Sequence, residues 1–115
     1  MQVQQIIEQL GLSVIVEADL TREISGGYAA DLLSCVMAHA AADSVWVTLQ
    51  CHPNVIAVAS LLDLAAVVIT EGMAPDEETV QRAREAEINL LGTAQDTYTV
   101  VGELVTAGIG GTWPG

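Results

Sequence analysis

Four groups of residues in this chain have the types and spacing that chemistry needs. Gly26-Gly27, followed by Tyr28-Ala29-Ala30 and Asp31, could cradle a phosphate on backbone N–H groups. Cys35 with His39, four apart, and Cys51 with His52, adjacent, supply two thiols and two imidazoles, the number a tetrahedral zinc ion takes. Thr48, Thr70 and Thr93 close three apolar runs, VWVT, VVIT and LLGT. Glu71 and Asp76 are carboxylates of the kind used in acid–base work inside a shaped pocket.

Weighed singly, most of these have a structural reading that fits better. The glycine pair lacks the GxGxxG and GxxxxGK patterns, and Arg22 is the only cation near it. The pair reads instead as a place where the backbone turns or passes close to a neighbouring element. Adjacent residues such as Cys51 and His52 seldom aim at one metal, and no CxxC is present. Free cysteine is among the most buried residue types, so two buried thiols and two ordinary histidines are expected, with no metal and no cofactor. Ser34 with His39, or Cys51 with His52, would be a nucleophile beside a base, but the GxSxG elbow is absent. Asp76, Glu77 and Glu78 are assigned to capping and to the dipole of a helix that follows them. No catalytic residue is therefore assigned.

Composition excludes further classes. The chain has 115 residues, enough for one core, and 51% of them are hydrophobic. Two Trp, two Tyr and no Phe leave that core to Val, Ile, Leu and Ala. Three Arg and no Lys face 15 Asp and Glu, for a formal charge of −12. Such a surface repels nucleic acid and anionic lipid headgroups. The missing lysine removes the Walker A loop, Schiff-base chemistry and a kinase-type phosphate-pairing lysine. The opening MQVQQIIEQL is amphipathic and is not a cationic apolar leader, and two cysteines make a structural disulfide unexpected. A cytoplasmic protein is the expectation. Residues 54–70, NVIAVASLLDLAAVVIT, are shorter than the roughly 20 apolar residues of a membrane span and contain Asp63.

Helix and strand signals alternate along the chain. Val3, Ile6, Ile7 and Leu10 mark one helical face that ends at Gly11. SVIVE (13–17) reads as a strand; the polar ADLTRE and then ISGGY follow it, and residues 31–40 read as a short helix capped by Asp31. VWVTLQ (45–50), AAVVIT (65–70) and INLLGT (88–93) read as strands. Helices are predicted over 54–63, with Pro53 at its start, and over PDEETVQRAREAE. A last helix is capped by Asp96, with Tyr98, Val101, Leu104 and Val105 as its apolar face. The expected fold is a layered α/β domain over residues 1–108, a mainly parallel sheet flanked by helices. Residues 109–115 are read as a flexible C-terminal tail.

In open parallel sheets ligands sit beyond the carboxyl ends of the strands. That edge would gather Thr48, Gln50, His52, Asn54, Thr70, Glu71, Gly72 and Thr93 as a candidate ligand-binding set. Threonine is also a good strand former, which is the plainer reason for its place.

Taken together, the motifs resemble a known family. Arg22, Gly26, Gly27 and Tyr28 with Asp31-Leu32-Leu33-Ser34, then VWVTLQ with its His-Pro-Asn turn, then VVIT-EG, resemble the DRTGG domain. The likeness runs from about Met1 to Gly108. The chain departs from the naming signature, since Asp19 stands apart from Arg22 and no threonine precedes the glycines. The resemblance implies an α/β fold like the N-terminal domain of HPr kinase/phosphorylase, without its kinase domain. It implies a regulatory or dimerising module, free-standing or beside CBS domains, with no established catalytic residues. Arg22, Gly26, Gly27, Tyr28, Asp31 and Ser34 then form a structural signature. The functional expectation is a non-catalytic, self-associating module, a homodimer. The alternative is a sensor that binds a nucleotide or metabolite at the threonine edge, and a protein partner is a further option.

Overall fold

A computed structural model describes residues 1–113. Its sheet has five strands: β1 (Ser13–Val16), β2 (Gly26–Ala29), β3 (Ser44–Thr48), β4 (Ala66–Ile69) and β5 (Leu90–Gly92). They lie in the order β1-β5-β4-β3-β2. From β2 through β5 all pairings are parallel, and β1 alone runs antiparallel, against β5. The expected mainly parallel layered α/β fold is the fold observed.

Alternation along the strands builds a core on each side of the sheet, because successive side chains point to opposite faces. Val45, Val47, Ala66, Val68 and Leu91 face one side, where α1 (Val3–Leu10) and α5 (Thr97–Thr106) bury Val3, Ile6, Val100 and Leu104. Trp46, Val67, Ile69 and Leu90 face the other. There α2 (Leu33–His39), α3 (Asn54–Leu61) and α4 (Glu77–Ala86) bury Val36, Val55, Ile56, Ala59 and Ala83. Strands buried on both faces read as continuous apolar runs, which is why β3 and β4 were legible without any alternation in the sequence.

Two readings from the sequence need correction, and one segment that had no element receives one. Within ISGGY and just beyond it, Gly26–Ala29 is edge strand β2, paired in parallel with Ser44–Val47. Two glycines and an alanine carry little strand propensity, and only the pairing to β3 extends this segment. Asp31 does not cap α2. Leu32 holds the cap position without a side-chain hydrogen bond, while the Asp31 carboxylate accepts from Leu49 N–H (3.0 Å) and the Thr48 hydroxyl (2.8 Å). The inner face of α5 is Val100 and Leu104, with Val101 partly covered, while Tyr98 is 90% exposed and Val105 58%. Residues 98–105 carry two overlapping apolar stripes, and contact with the sheet selects one of them.

The residues read as a tail have definite neighbours up to 113. Ile109 is buried, Gly27 N–H donates to the Gly110 carbonyl (2.9 Å), and Gly111 bridges Gly27 in parallel. Gly26 and Gly27 therefore do let another part of the chain pass close. A Cβ on Gly26 would stand 2.5 Å from Thr112 Cγ2 and 3.0 Å from the Gly110 carbonyl oxygen. Pro114 and Gly115 lie outside the described residues.

Candidate functional site

Of the candidate residues, all eight of the threonine-edge set stand in segments that leave β3, β4 or β5. One place on that edge has the topology that opens a ligand crevice. β4 leads to α4 on one face of the sheet and β5 leads to α5 on the other, so the loops leaving these neighbouring strands diverge.

The chain fills that place itself. Glu71 and Gly72 both take the left-handed conformation (φ 64° and 66°), which folds their turn back over β5. Glu71 N–H donates to the Gln95 carbonyl (2.8 Å) and Gly72 N–H to the Thr93 carbonyl (3.0 Å). The Glu71 carboxylate accepts from Thr97 N–H (3.2 Å) at the start of α5, where a negative charge meets unpaired backbone donors. Asp96 caps the same helix through Thr99 N–H (2.7 Å). Hydrogen bonding to the Thr99 side chain and backbone holds the Asp96 carboxyl below the usual aspartate range.

The threonines are spent in the same way. Thr70 is fully buried; its hydroxyl shares a 2.7 Å hydrogen bond with Thr97 and lies 3.4 Å from the Thr48 carbonyl. Thr48 is fully buried too, and its hydroxyl donates to Asp31 and accepts from Gln50 N–H (3.1 Å). The Thr93 hydroxyl accepts from Gln95 N–H (3.2 Å). The Gln50 side-chain amide donates to the Asp31 carbonyl (3.0 Å). In the next turn, His52 Nδ1 accepts from Asn54 N–H (3.1 Å), so this pair closes on itself ahead of α3. Asp31, assigned from sequence to a helix cap, thus belongs to this edge; only the β2–β3 register brings it there.

The other candidates scatter. Cys35 and His39 share α2, where His39 Nδ1 lies 3.1 Å from the Cys35 carbonyl oxygen. Among the described residues no three His, Cys, Asp or Glu are placed to hold a metal ion. The Cys51 thiol donates to the Leu49 carbonyl (3.6 Å), and burial, with Asp76 nearby, pushes its pKa up. Ser34 is exposed in the first turn of α2.

Arg22 works at the opposite, amino-terminal edge. Its guanidinium donates to Asp43 Oδ1 (2.8 Å) and the Asp63 carbonyl (2.6 Å) and pairs with the Asp63 carboxylate (2.9 Å). Burial pulls its pKa down, and the bonds to Asp43 and Asp63 outweigh that and raise it. Asp43 and Asp63 are both left-handed (φ 63° and 56°), in the turns that lead to β3 and β4. Asn89, buried and not singled out in the sequence, pins a third place. It accepts from Ala18 N–H (2.8 Å) and donates to the Asp19 (2.8 Å) and Ala65 (3.0 Å) carbonyls.

Among the described residues no helix is long and apolar enough to cross a membrane. No curated protein matches the chain. Among solved structures the fold is similar to the CBS and DRTGG domains of the regulatory region of Clostridium perfringens pyrophosphatase, solved with the activator diadenosine tetraphosphate. The TM-score is 0.74 at 14% identity, over 90% of this chain and 46% of that one, so the chain spans about half of that structure. The family model of the DRTGG domain matches residues 1–107. With that match spanning nearly the whole sequence, the chain belongs to the DRTGG domain family.

Proposed function

We propose that this DRTGG domain is a regulatory module that acts by association, including association with itself, and not by catalysis. The observation that carries this reading is the occupied switch point. Where a doubly faced α/β sheet would open a crevice, the Glu71-Gly72 turn and Thr97 bond to each other and to the β5–α5 loop. Catalysis needs a nucleophile or an acid–base group with a perturbed pKa, held against a space for substrate. Here the hydroxyls and carboxylates at the carboxyl edge are held against the protein's own backbone. A cytoplasmic setting suits two free cysteines.

Sedimentation velocity of the purified chain tests the reading. A concentration-dependent dimer is expected, and a clean monomer up to high micromolar concentration would defeat it.

A second reading has its own support. The regulatory region that shares this fold was solved with a dinucleotide activator. A nucleotide or metabolite at Thr48, Gln50, His52, Asn54, Thr70, Glu71, Gly72 and Thr93 would have to break the internal bonds described above. Binding would then couple directly to the β4–α4 and β5–α5 loops. A ligand that prefers the folded state must raise the melting temperature. Thermal-shift screening against adenine nucleotides, diadenosine tetraphosphate and acyl phosphates, with and without magnesium, should show a shift that His52→Ala or Thr70→Val reduces. No shift across the panel removes the sensor reading.

A further inference from the structure

We infer that the surface through which the chain pairs with a second copy of itself is the groove between α2 and α3. The inference rests on the self-association proposed above and adds the face that performs it. The groove is lined by Leu33, Met37, Ala57, Val58 and Leu61, with Asn54 at one end, and has a volume of about 280 Å³. Met37 is 50% exposed and Leu61 70%, and Leu32, 64% exposed at the start of α2, extends the apolar surface. Burying these side chains against a partner removes apolar surface from water. Methionine in particular adapts its shape to a partner.

Charge identifies the occupant. In a two-fold contact the same patch comes from both copies, so any carboxylate on it faces carboxylates. A body of formal charge −12 can meet its copy at low cost only where charge is missing. α2 and α3 contain no Asp, Glu, Lys or Arg. The other helices do not offer this. α4 carries Glu77, Glu78 and Glu85, and α1 and α5, which pack side by side, carry Glu8 and Glu103. Tyr98 and Val105 make α5 the rival apolar face, but Glu103 on that helix and Glu8 on the neighbouring α1 bring two carboxylates to that side of the molecule. A basic partner would be steered to the carboxylates and away from this groove.

The experiment is sedimentation velocity on the 115-residue chain and two pairs of variants, over a concentration range from low to high micromolar. Leu61→Glu and Met37→Glu alter exposed positions on the groove; Tyr98→Glu and Val105→Glu alter exposed positions on α5. Circular dichroism confirms that each variant is folded. Expected is a dimer for the parent chain and both α5 variants, with dissociation constants raised about 100-fold or more by the groove variants. A dimer that survives both groove variants overturns the assignment of this face and leaves self-association standing. A parent chain that never dimerises overturns the proposed function, and this inference with it.

Discussion

Arg22 shows how one side chain can hold an edge together. Its planar fork reaches two carboxylates and a carbonyl, from turns that lie twenty residues apart in the chain. Arg22→Ala should cost about 2 kcal/mol, measured by urea unfolding, because the carboxylates of Asp43 and Asp63 lose a charged donor. Arg22→Lys should recover less than half of that, since a point charge cannot bond both partners in this geometry. Asp96 gives a pH-dependent case. Its folded pKa is depressed, so its contribution is complete above the ordinary aspartate range and is lost as pH falls through the depressed value. The melting-temperature gap between the parent chain and Asp96→Ala should therefore be full at neutral pH and close in strong acid. From sequence, Asp96 was readable as a cap because its partner lies three residues away. Arg22 was readable as part of the family signature, but what it bonds was not, because its partners lie 21 and 41 residues away.

At the scale of elements, the difference between the two signature glycines is the clearest test. β2 is a weak strand by composition, and Gly110–Thr112 lie against its outer edge. Gly26→Ala puts a methyl group where Thr112 and the Gly110 carbonyl stand, and should detach that segment. Gly27→Ala meets Ile109 and Val45 at 3.6 Å, ordinary contact, and its conformation suits any residue. Amide exchange at Gly27, whose N–H donates to Gly110, should speed up in Gly26→Ala. In Gly27→Ala the segment should hold, with stability unchanged or raised by about 0.5–1 kcal/mol. Equal exchange rates in the two variants would show that the segment is not seated as described. The helices were the most legible elements, since Val3, Ile6 and Leu10 repeat with helical period and α4 opens on acidic residues. β2 was not, since a strand made by its neighbour leaves little trace in its own residues.

For the whole molecule, the dominant quantity is charge. A formal −12 spread over 115 residues works against compaction, and salt screens it over about 10 Å at 0.1 M. The melting temperature at neutral pH should thus rise as sodium chloride is added up to about 0.5 M, well beyond that ionic strength. A fall with salt would mean that attractive pairs such as Arg22 with Asp43 and Asp63 outweigh the repulsion. Salt should also tighten dimers, because it screens the two bodies without weakening contact across an uncharged groove.

By itself the sequence determined the class of fold, the family and most of the element order. Apolar runs of strand length, helical periods and caps are local patterns, and each acts within a few residues. It also set the formal charge of −12, because net charge is a sum over residue types and does not depend on how the chain folds. Tertiary structure alone decided that Asp31 serves β3 and not α2, and that Gly26–Ala29 form an edge strand. It also decided that the threonine edge closes on itself: the bonds joining Glu71 to Gln95, Glu71 to Thr97 and Thr70 to Thr97 span more than twenty residues each. No local pattern encodes which distant group will satisfy a buried donor. Only packing both faces of one sheet brings those groups together.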